Sequence, residues 1–304
     1  MATVVNKRAS LMLLAALIWR PGEASPARFA SQRPAVPQDS SFVSNGVQIR
    51  YVEQGQGPAV VLIHGYIGNV ERHWINSGVF ADLAKDHRVI ALDCRGHGQS
   101  GKPDNPAAYG AEMGEDIVRL LDHLKIRRAH IVGFSMGVFI AGHLLTTDAD
   151  RFLSATFVGH HPIRTWTAAD EQASEAWARD LESDTPFRSL ILGIASSDVP
   201  PPGADEIRKL SQALVAANDT RALAAYHRGL RTLAVTDADL AAVRVPTLGI
   251  IGSADPALAG VQDLKTVMPG LSVVVVDGAE HGGERGVLRR PEFLAALRGF
   301  LVAR

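Results

Sequence analysis

Two patterns of apolar residues divide the chain beyond about residue 40. Residues 41–46 (SFVSNG) and 47–55 (VQIRYVEQG) alternate apolar and polar positions, which is typical of a hairpin at the edge of a sheet. The runs 59–64 (AVVLIH), 88–93 (RVIALD) and 130–135 (HIVGFS) are almost continuously apolar, which indicates strands buried on both faces.

Helical spacing appears between the last two of these runs, in residues 114–125 (GEDIVRLLDHLK). The apolar residues that share one helical face there are Ile117, Leu120, Leu121 and Leu124. Residues 154–159 (SATFVG) predict a further strand. Buried strands that alternate with helices predict an α/β fold with a mostly parallel, doubly wound sheet and right-handed crossovers.

The alternation stops between residues 162 and 241. This segment has helix-like apolar spacing without a strand pattern, and the turn-forming run 199–203 (VPPPG) interrupts it. Strand and helix patterns return in 245–251 (VPTLGII), 257–267, 272–277 (SVVVVD) and a final helix from Pro291. We therefore predict a core of residues 41–161 and 242–304, with residues 162–241 inserted as a helical cap.

The amino-terminal segment has the parts of a secretory signal peptide. Lys7 and Arg8 precede the apolar run 11–19 (LMLLAALIW), and small residues follow at 22–24 (GEA). Nine apolar residues are too few for a membrane-spanning helix, which needs about 20. We predict a signal peptide over residues 1–24, a linker over 25–40, and export to the periplasm or beyond. The alternative is a cytoplasmic protein with a frayed terminal helix.

Composition narrows the class of partner. The formal net charge is −1 and the sequence pI is near 6.8, with Lys and Arg scattered, so no nucleic-acid partner is indicated. Cys94 is the only cysteine, which excludes an intramolecular disulfide and favours a structural thiol. His160 and His161 are adjacent, and on a strand their side chains would point apart, so we expect no metal site and no cofactor.

The sequence Gly133–Phe134–Ser135–Met136–Gly137 lies where a buried strand passes into an apolar helix. A sharp strand-to-helix turn holds its central serine out at the carboxyl edge of the sheet, and glycine on both flanks avoids collisions with neighbouring backbone. The same five letters also occur in tight turns with a capping serine. The strand and helix on either side favour Ser135 as a nucleophile.

A serine nucleophile needs a base and an orienting carboxylate. His281 follows the last predicted strand on a glycine-rich loop, whereas His160 and His161 are candidates for lining a pocket. Asp255 lies one short loop beyond the strand 245–251 and is the preferred acid. Asp277 is the second choice, because it ends the strand that leads to His281 and adjacent groups rarely aim at each other.

These residues resemble the α/β-hydrolase family, in particular its serine esterase-like branch with a helical cap. The resemblance covers the chain from about residue 42 and also rests on two loops, His64–Gly65 and Asp93–Ser100. It implies that Ser135, Asp255 and His281 form a catalytic triad.

The resemblance further implies an oxyanion hole made by the backbone N–H groups of Tyr66 and Met136. We expect Tyr66, Phe134 and His160 to contact the substrate. A serine at the nucleophile position argues against the dehalogenase and epoxide hydrolase branches. Val138 departs from the family, in which many members have a smaller residue there.

The predicted activity is hydrolysis of small-molecule carboxylic esters with small to medium, mostly apolar acyl groups. We expect no stable membrane insertion of the mature chain. The oligomeric state is left open. The alternatives are a carbon–carbon bond hydrolase that anchors a carboxylate on Arg164 or Arg188, a cofactor-free perhydrolase, and a non-catalytic ligand receptor. In the cap, Trp166, Trp177 and Phe187 either line the substrate pocket or form the cap's own core.

Overall fold

The computed structural model describes residues 37–194 and 201–303. The predicted signal peptide (residues 1–24) and most of the predicted linker lie outside these ranges, and both stay predictions. The first strand begins at Gln38, so the last residues assigned to the linker belong to the sheet.

One eight-stranded sheet runs through the described residues. Its strands are β1 (Gln38–Ser44), β2 (Val47–Gln54), β3 (Ala59–Ile63), β4 (Arg88–Leu92), β5 (Ala129–Phe134), β6 (Phe152–Val158), β7 (Thr247–Gly252) and β8 (Leu271–Val276). Their order across the sheet is β1-β2-β4-β3-β5-β6-β7-β8. β1 and β2 form the antiparallel edge hairpin, β2 is antiparallel to β4, and the remaining pairs are parallel. The predicted fold class is confirmed.

Both faces of the central strands are buried, as their apolar runs predict. Every residue of β3 and β5 is buried. Alternate side chains enter different cores: Val61 and Ile63 pack on one face of the sheet, and Val60 and Leu62 pack on the other. The sheet is therefore a rigid platform whose carboxyl edge carries the loops after β3, β4, β5, β7 and β8.

Helices cover the two faces. The α-helices within the described ranges are α1 (Val79–Leu83), α2 (Ala111–His123), α3 (Met136–Thr147), α4 (Ala168–Leu181), α5 (Arg188–Ile194), α6 (Ala204–Ala217), α7 (Thr220–Gly229), α8 (Asp237–Ala242), α9 (Leu258–Val267) and α10 (Pro291–Val302). Residues of α2, α3 and α9 pack on one face, and those of α1 and α10 pack on the other. None of these helices has the length and apolarity needed to cross a bilayer.

The segment between β6 and β7 contains α4 to α8, and we call it the cap. It has its own apolar cluster, in which Phe187 and Ile191 are fully buried with residues of α4, α6 and α7. Phe187 therefore belongs to the cap's core. Two residues of the loop after β3, Tyr66 and Ile67, pack against the same cluster.

Histidine burial makes the stability of the fold depend on pH. His130, in β5, is 2% exposed, and its Nδ1 lies 2.7 Å from the Ser154 hydroxyl. Burial, reinforced by the nearby charge of His87, lowers the pKa of His130 from 6.5 to about 4. The unfolded chain therefore takes up this proton before the folded chain does, so stability present above pH 6.5 is lost as pH falls toward 4.

We expect the free energy of unfolding to fall by about 2 kcal/mol between pH 7.5 and pH 5 on account of His130 alone. Urea denaturation of the wild type and of His130→Gln at both pH values measures this difference, because glutamine does not titrate. The remaining histidines are present in both proteins, so the comparison isolates the contribution of His130 together with its coupling to His87. Identical pH slopes for the two proteins would contradict the assignment.

Candidate active site

Ser135 occupies the sharp turn between β5 and α3. Its backbone has φ 52°, in the left-handed region that residues other than glycine rarely adopt. A Cβ at Gly133 would lie 2.2 Å from the Gly137 carbonyl oxygen, and a Cβ at Gly137 would lie 2.4 Å from the Ile63 carbonyl oxygen. Because both contacts are with backbone, only glycine fits on either side of this serine.

The structure brings Ser135, His281 and Asp255 together from three separate loops. Ser135 Oγ lies 2.9 Å from His281 Nε2, and His281 Nδ1 lies 2.8 Å from Asp255 Oδ2. Asp255 is only 4% exposed, and its other oxygen accepts a hydrogen bond from the Ala257 N–H at 2.9 Å. A carboxylate at Nδ1 fixes the proton there, which leaves Nε2 free to accept the serine proton.

The competing acids face elsewhere. Asp277 is exposed and accepts a hydrogen bond from the Ser253 hydroxyl at 3.2 Å. Glu280 forms an ion pair with Arg285. Of the described carboxylates, Asp255 is therefore the one in hydrogen-bond contact with the imidazole of His281.

The His281 ring packs against protein on one side and remains exposed to solvent on the other. Its ring stacks on Phe134, with centroids 5.2 Å apart, and a Cβ at Gly159 would lie 3.3 Å from it. The side chain nevertheless stays 36% exposed. Packing thus limits the orientation of the ring while water can still reach it.

The loop after β3 lies against the serine, because a Cβ at Gly65 would be 3.1 Å from Ser135 Cβ. A turn closes this loop through a 3.0 Å hydrogen bond from the Gly68 N–H to the Gly65 carbonyl. Ile67 occupies the third position of the turn with φ 49°, which is unusual for a β-branched residue. We call residues 64–68 the oxyanion loop.

Two histidines hold this loop through the backbone of Gly65. The Gly65 N–H donates to His73 Nδ1 at 3.1 Å, while His64 Nδ1 donates to the Gly65 carbonyl at 2.8 Å. His64 Nε2 in turn accepts the Cys94 N–H at 3.0 Å. Burial lowers the pKa of both His64 and His73, so each ring is neutral and each tautomer is set by these partners.

Two backbone N–H groups are open beside the serine. Among the described residues, neither Tyr66 nor Met136 donates its N–H to a protein acceptor. Met136 opens α3, whose first N–H groups have no partner within the helix, and no side chain caps it. The site can therefore offer donors to a developing oxyanion.

Charged residues support the loop after β4. The buried guanidinium of Arg95 makes paired hydrogen bonds of 2.7 and 2.5 Å to the Asp116 carboxylate. Asp93 accepts hydrogen bonds from the Val70 and Gln99 N–H groups, which ties this loop to the segment after the oxyanion loop. Cys94 is buried, and burial raises the pKa of its thiol well above its usual range, as expected of a structural cysteine.

The side chain of Tyr66 joins the oxyanion loop to the cap. Its hydroxyl lies 3.1 Å from His227 Nε2, and its ring stacks on Tyr226 at 5.5 Å. Trp177 stacks on His227, with ring centroids 5.6 Å apart and planes only 7° apart. Burial raises the pKa of Tyr66 and lowers that of His227 to about 4, so the pair is neutral.

The expectation for the His160–His161 pair was wrong in geometry. Both residues lie beyond the end of β6, where strand alternation no longer applies, and their rings are 4.8 Å apart. His160 Nδ1 accepts the His161 N–H, and burial lowers the pKa of His160 to about 4. No cluster of metal-ligating side chains occurs within residues 37–194 and 201–303.

Comparison with known proteins identifies the fold. A family model described as the alpha/beta hydrolase fold matches residues 58–198. This chain has the α/β-hydrolase fold. A solved esterase from Thermogutta terrifontis (malate bound) aligns with 88% of this α/β hydrolase and 99% of that chain, with TM-score 0.70 and 21% identity, which shows the shared fold.

Curated relatives have several activities. A 3-oxoadipate enol-lactonase from Acinetobacter baylyi is 36% identical over 183 residues, which are 58% of this α/β hydrolase and 64% of that protein. An epoxide hydrolase from Siraitia grosvenorii is 30% identical over 131 residues, 41% of each chain. The match thus spans less than two thirds of the length of these relatives.

Sequence reasoning missed part of the site. Nothing in the spacing of His73 connects it with Gly65, and the contact of Tyr66 with His227 joins positions 161 apart in the chain. Of the cap arginines considered as carboxylate anchors, Arg164 is occupied by Asp237 and Asp263, and Arg188 is exposed on α5.

Proposed function

We propose that this α/β hydrolase is a serine hydrolase that cleaves carboxylic esters with small to medium acyl groups. The hydrogen-bonded series from Ser135 through His281 to Asp255 carries the proposal. A serine hydroxyl becomes an effective nucleophile when an oriented base can accept its proton. Similarity to an enol-lactonase supports an ester substrate, because a lactone is a cyclic ester.

Acylation begins when Ser135 Oγ attacks the ester carbonyl carbon and His281 Nε2 accepts the hydroxyl proton. The carbonyl electrons move onto oxygen, where the N–H groups of Tyr66 and Met136 donate hydrogen bonds. Each such donor contributes about 3–4 kcal/mol to stabilising the transition state. Asp255 stabilises the imidazolium formed in this step.

The tetrahedral intermediate then collapses. Its carbon–oxygen bond to the alcohol breaks, and His281 Nε2 gives its proton to the departing oxygen. Water then attacks the carbonyl carbon of the acyl-serine while His281 Nε2 accepts a proton from that water. The oxyanion forms in the same place as before. When the intermediate collapses, Ser135 Oγ leaves and takes the proton back from His281. The carboxylic acid is released.

The similarity to epoxide hydrolases does not favour epoxide opening. Attack of a serine hydroxyl on an epoxide carbon gives an ether, which water does not cleave under these conditions. A carboxylate nucleophile would instead give an ester, which water can hydrolyse. With Ser135 at the turn after β5, acyl transfer is the reaction that completes a catalytic cycle.

Turnover and covalent labelling test the proposal together. We expect release of 4-nitrophenolate from 4-nitrophenyl acetate and butyrate, and a single adduct on Ser135 after treatment with an organophosphonate, located by peptide mapping. Labelling on another serine would overturn the assignment of the nucleophile. Progress curves no steeper than the uncatalysed reaction, without labelling, would favour a ligand receptor.

A further inference from the structure

Arg72 is a half-buried arginine beside the oxyanion loop that lacks an ion-pair partner. Its Nη1 makes one long contact, 3.4 Å from the Ile67 carbonyl oxygen. Among the described residues no carboxylate lies within ion-pair distance of it. A guanidinium has five N–H donors, so acceptors among the described residues satisfy only a small part of its hydrogen-bonding capacity.

The other arginines of comparable burial are all paired. Within the described residues, each arginine that is buried or half-buried, apart from Arg72, contacts a carboxylate. These are Arg50, Arg88, Arg95, Arg119, Arg151, Arg164, Arg228, Arg290 and Arg298. Removing a guanidinium from water without an anion is unfavourable, and burial alone lowers the pKa of Arg72.

Arg72 lies beside the turn that faces Ser135. Gly65 lies against Ser135, and Ile67, whose carbonyl contacts Arg72, is two residues further along the same tight turn. Two residues span at most about 7 Å. The guanidinium therefore lies within reach of a group several carbon atoms away from an ester carbonyl held at Ser135.

Charge around the site is consistent with an anion there. His64 and His73 are neutral, so Arg72 supplies a fixed positive charge beside the oxyanion loop. Asp255 is engaged by His281. Asp180, whose charge acts on Tyr66, accepts the Ser189 N–H at 3.2 Å and forms no ion pair with Arg72.

We propose that Arg72 binds a carboxylate at the far end of the substrate's acyl chain, so that the preferred substrates are half-esters of dicarboxylic acids or lactones that carry a free carboxylate. This inference rests on the proposed ester hydrolysis. It revises the mostly apolar acyl group expected from the sequence. The acyl chain is attached to the carbonyl that the oxyanion loop holds in both half-reactions, so an anchor beside this loop orients the substrate in each of them.

A matched pair of esters tests the inference. One is 4-nitrophenyl hydrogen adipate, which carries a free carboxylate, and the other is 4-nitrophenyl hexanoate, which ends in a methyl group. We expect the wild type to prefer the adipate in kcat/KM, and Arg72→Gln to lower the adipate-to-hexanoate ratio by about tenfold to a hundredfold. Arg72→Lys keeps the charge but loses the paired donors, so its adipate-to-hexanoate ratio is expected to lie between those of wild type and Arg72→Gln.

Two further variants serve as controls. Arg127→Gln removes an exposed arginine before β5, about 20 Å from Ser135 along that strand, and is expected to keep the wild-type ratio. Arg188→Gln removes one of the exposed arginines of the cap. If Arg188→Gln lowers the ratio and Arg72→Gln does not, the anchor is in the cap and the inference is overturned.

A binding measurement separates failure of this inference from failure of the proposed function. Ser135→Ala, which keeps Arg72, is expected to gain thermal stability with monomethyl adipate but not with dimethyl adipate, and Arg72→Gln in that background is expected to lose the gain. If wild type and Arg72→Gln both hydrolyse the hexanoate and have the same adipate-to-hexanoate ratio of kcat/KM, the carboxylate anchor is overturned but ester cleavage is not. Hydrolysis of neither ester would overturn ester cleavage and the inference based on it.

Discussion

Ser135→Ala is expected to lower kcat for 4-nitrophenyl butyrate by at least about a thousandfold, with the fold intact. The methyl group of alanine fits the space of the serine, and the backbone turn is held by Gly133 and Gly137 on either side. What disappears is the oxygen that lies 2.9 Å from His281 Nε2. Binding groups and oxyanion donors remain, so a small residual rate above water is expected.

Stopped assays on the purified variant, with circular dichroism to verify the fold, measure this effect. Ser272→Ala is the matched control, because Ser272 is an exposed residue of β8. It is expected to retain wild-type kcat. A Ser135→Ala protein with more than a tenth of wild-type kcat would show that another group performs the attack.

Asp255→Asn is expected to lower kcat by about ten thousandfold with little change in KM, the size seen when this position is altered in serine-protease triads. An asparagine that turns its NH2 group toward His281 Nδ1 forces the proton onto Nε2, the atom that must accept the serine proton. The imidazolium also loses its neighbouring negative charge. The hydrogen bond to the Ala257 N–H can persist through the amide oxygen.

Asp277→Asn distinguishes this role from a general loss of negative charge. Asp277 is exposed and contacts Ser253 rather than His281, so its replacement is expected to leave kcat within about twofold of wild type. Steady-state kinetics of both variants decide between the two acids. Equal losses in the two variants would contradict the geometry.

The central strands of the sheet were predictable from the sequence because a strand that is buried on both faces has a continuous run of apolar residues. Strands such as β3 and β5 are apolar at nearly every position, and their ends fall within one residue of the predicted runs. β1 was placed too late because the polar residues at 38–40 lie on an edge strand, where solvent faces part of the backbone. Edge strands carry a weaker hydrophobic pattern than central ones.

The candidate site was predictable where local geometry imposes a residue type. The glycines around Ser135 are required by backbone contacts under 2.5 Å, so they mark the turn in the sequence. The support given by His73 and His227, and the unpaired state of Arg72, depend on contacts between distant loops and the cap. No spacing rule carries that information, because each contact is set by tertiary packing.

Tyr66 and Ile67 are at once part of the loop that faces the serine and part of the packing of the cap. Exchanging the cap for that of a relative would remove the cap neighbours of these two side chains. The left-handed turn at Ile67 would then be free to relax. With ester hydrolysis as proposed, changes in substrate selectivity and in turnover are expected to accompany each other, because one loop contributes to both.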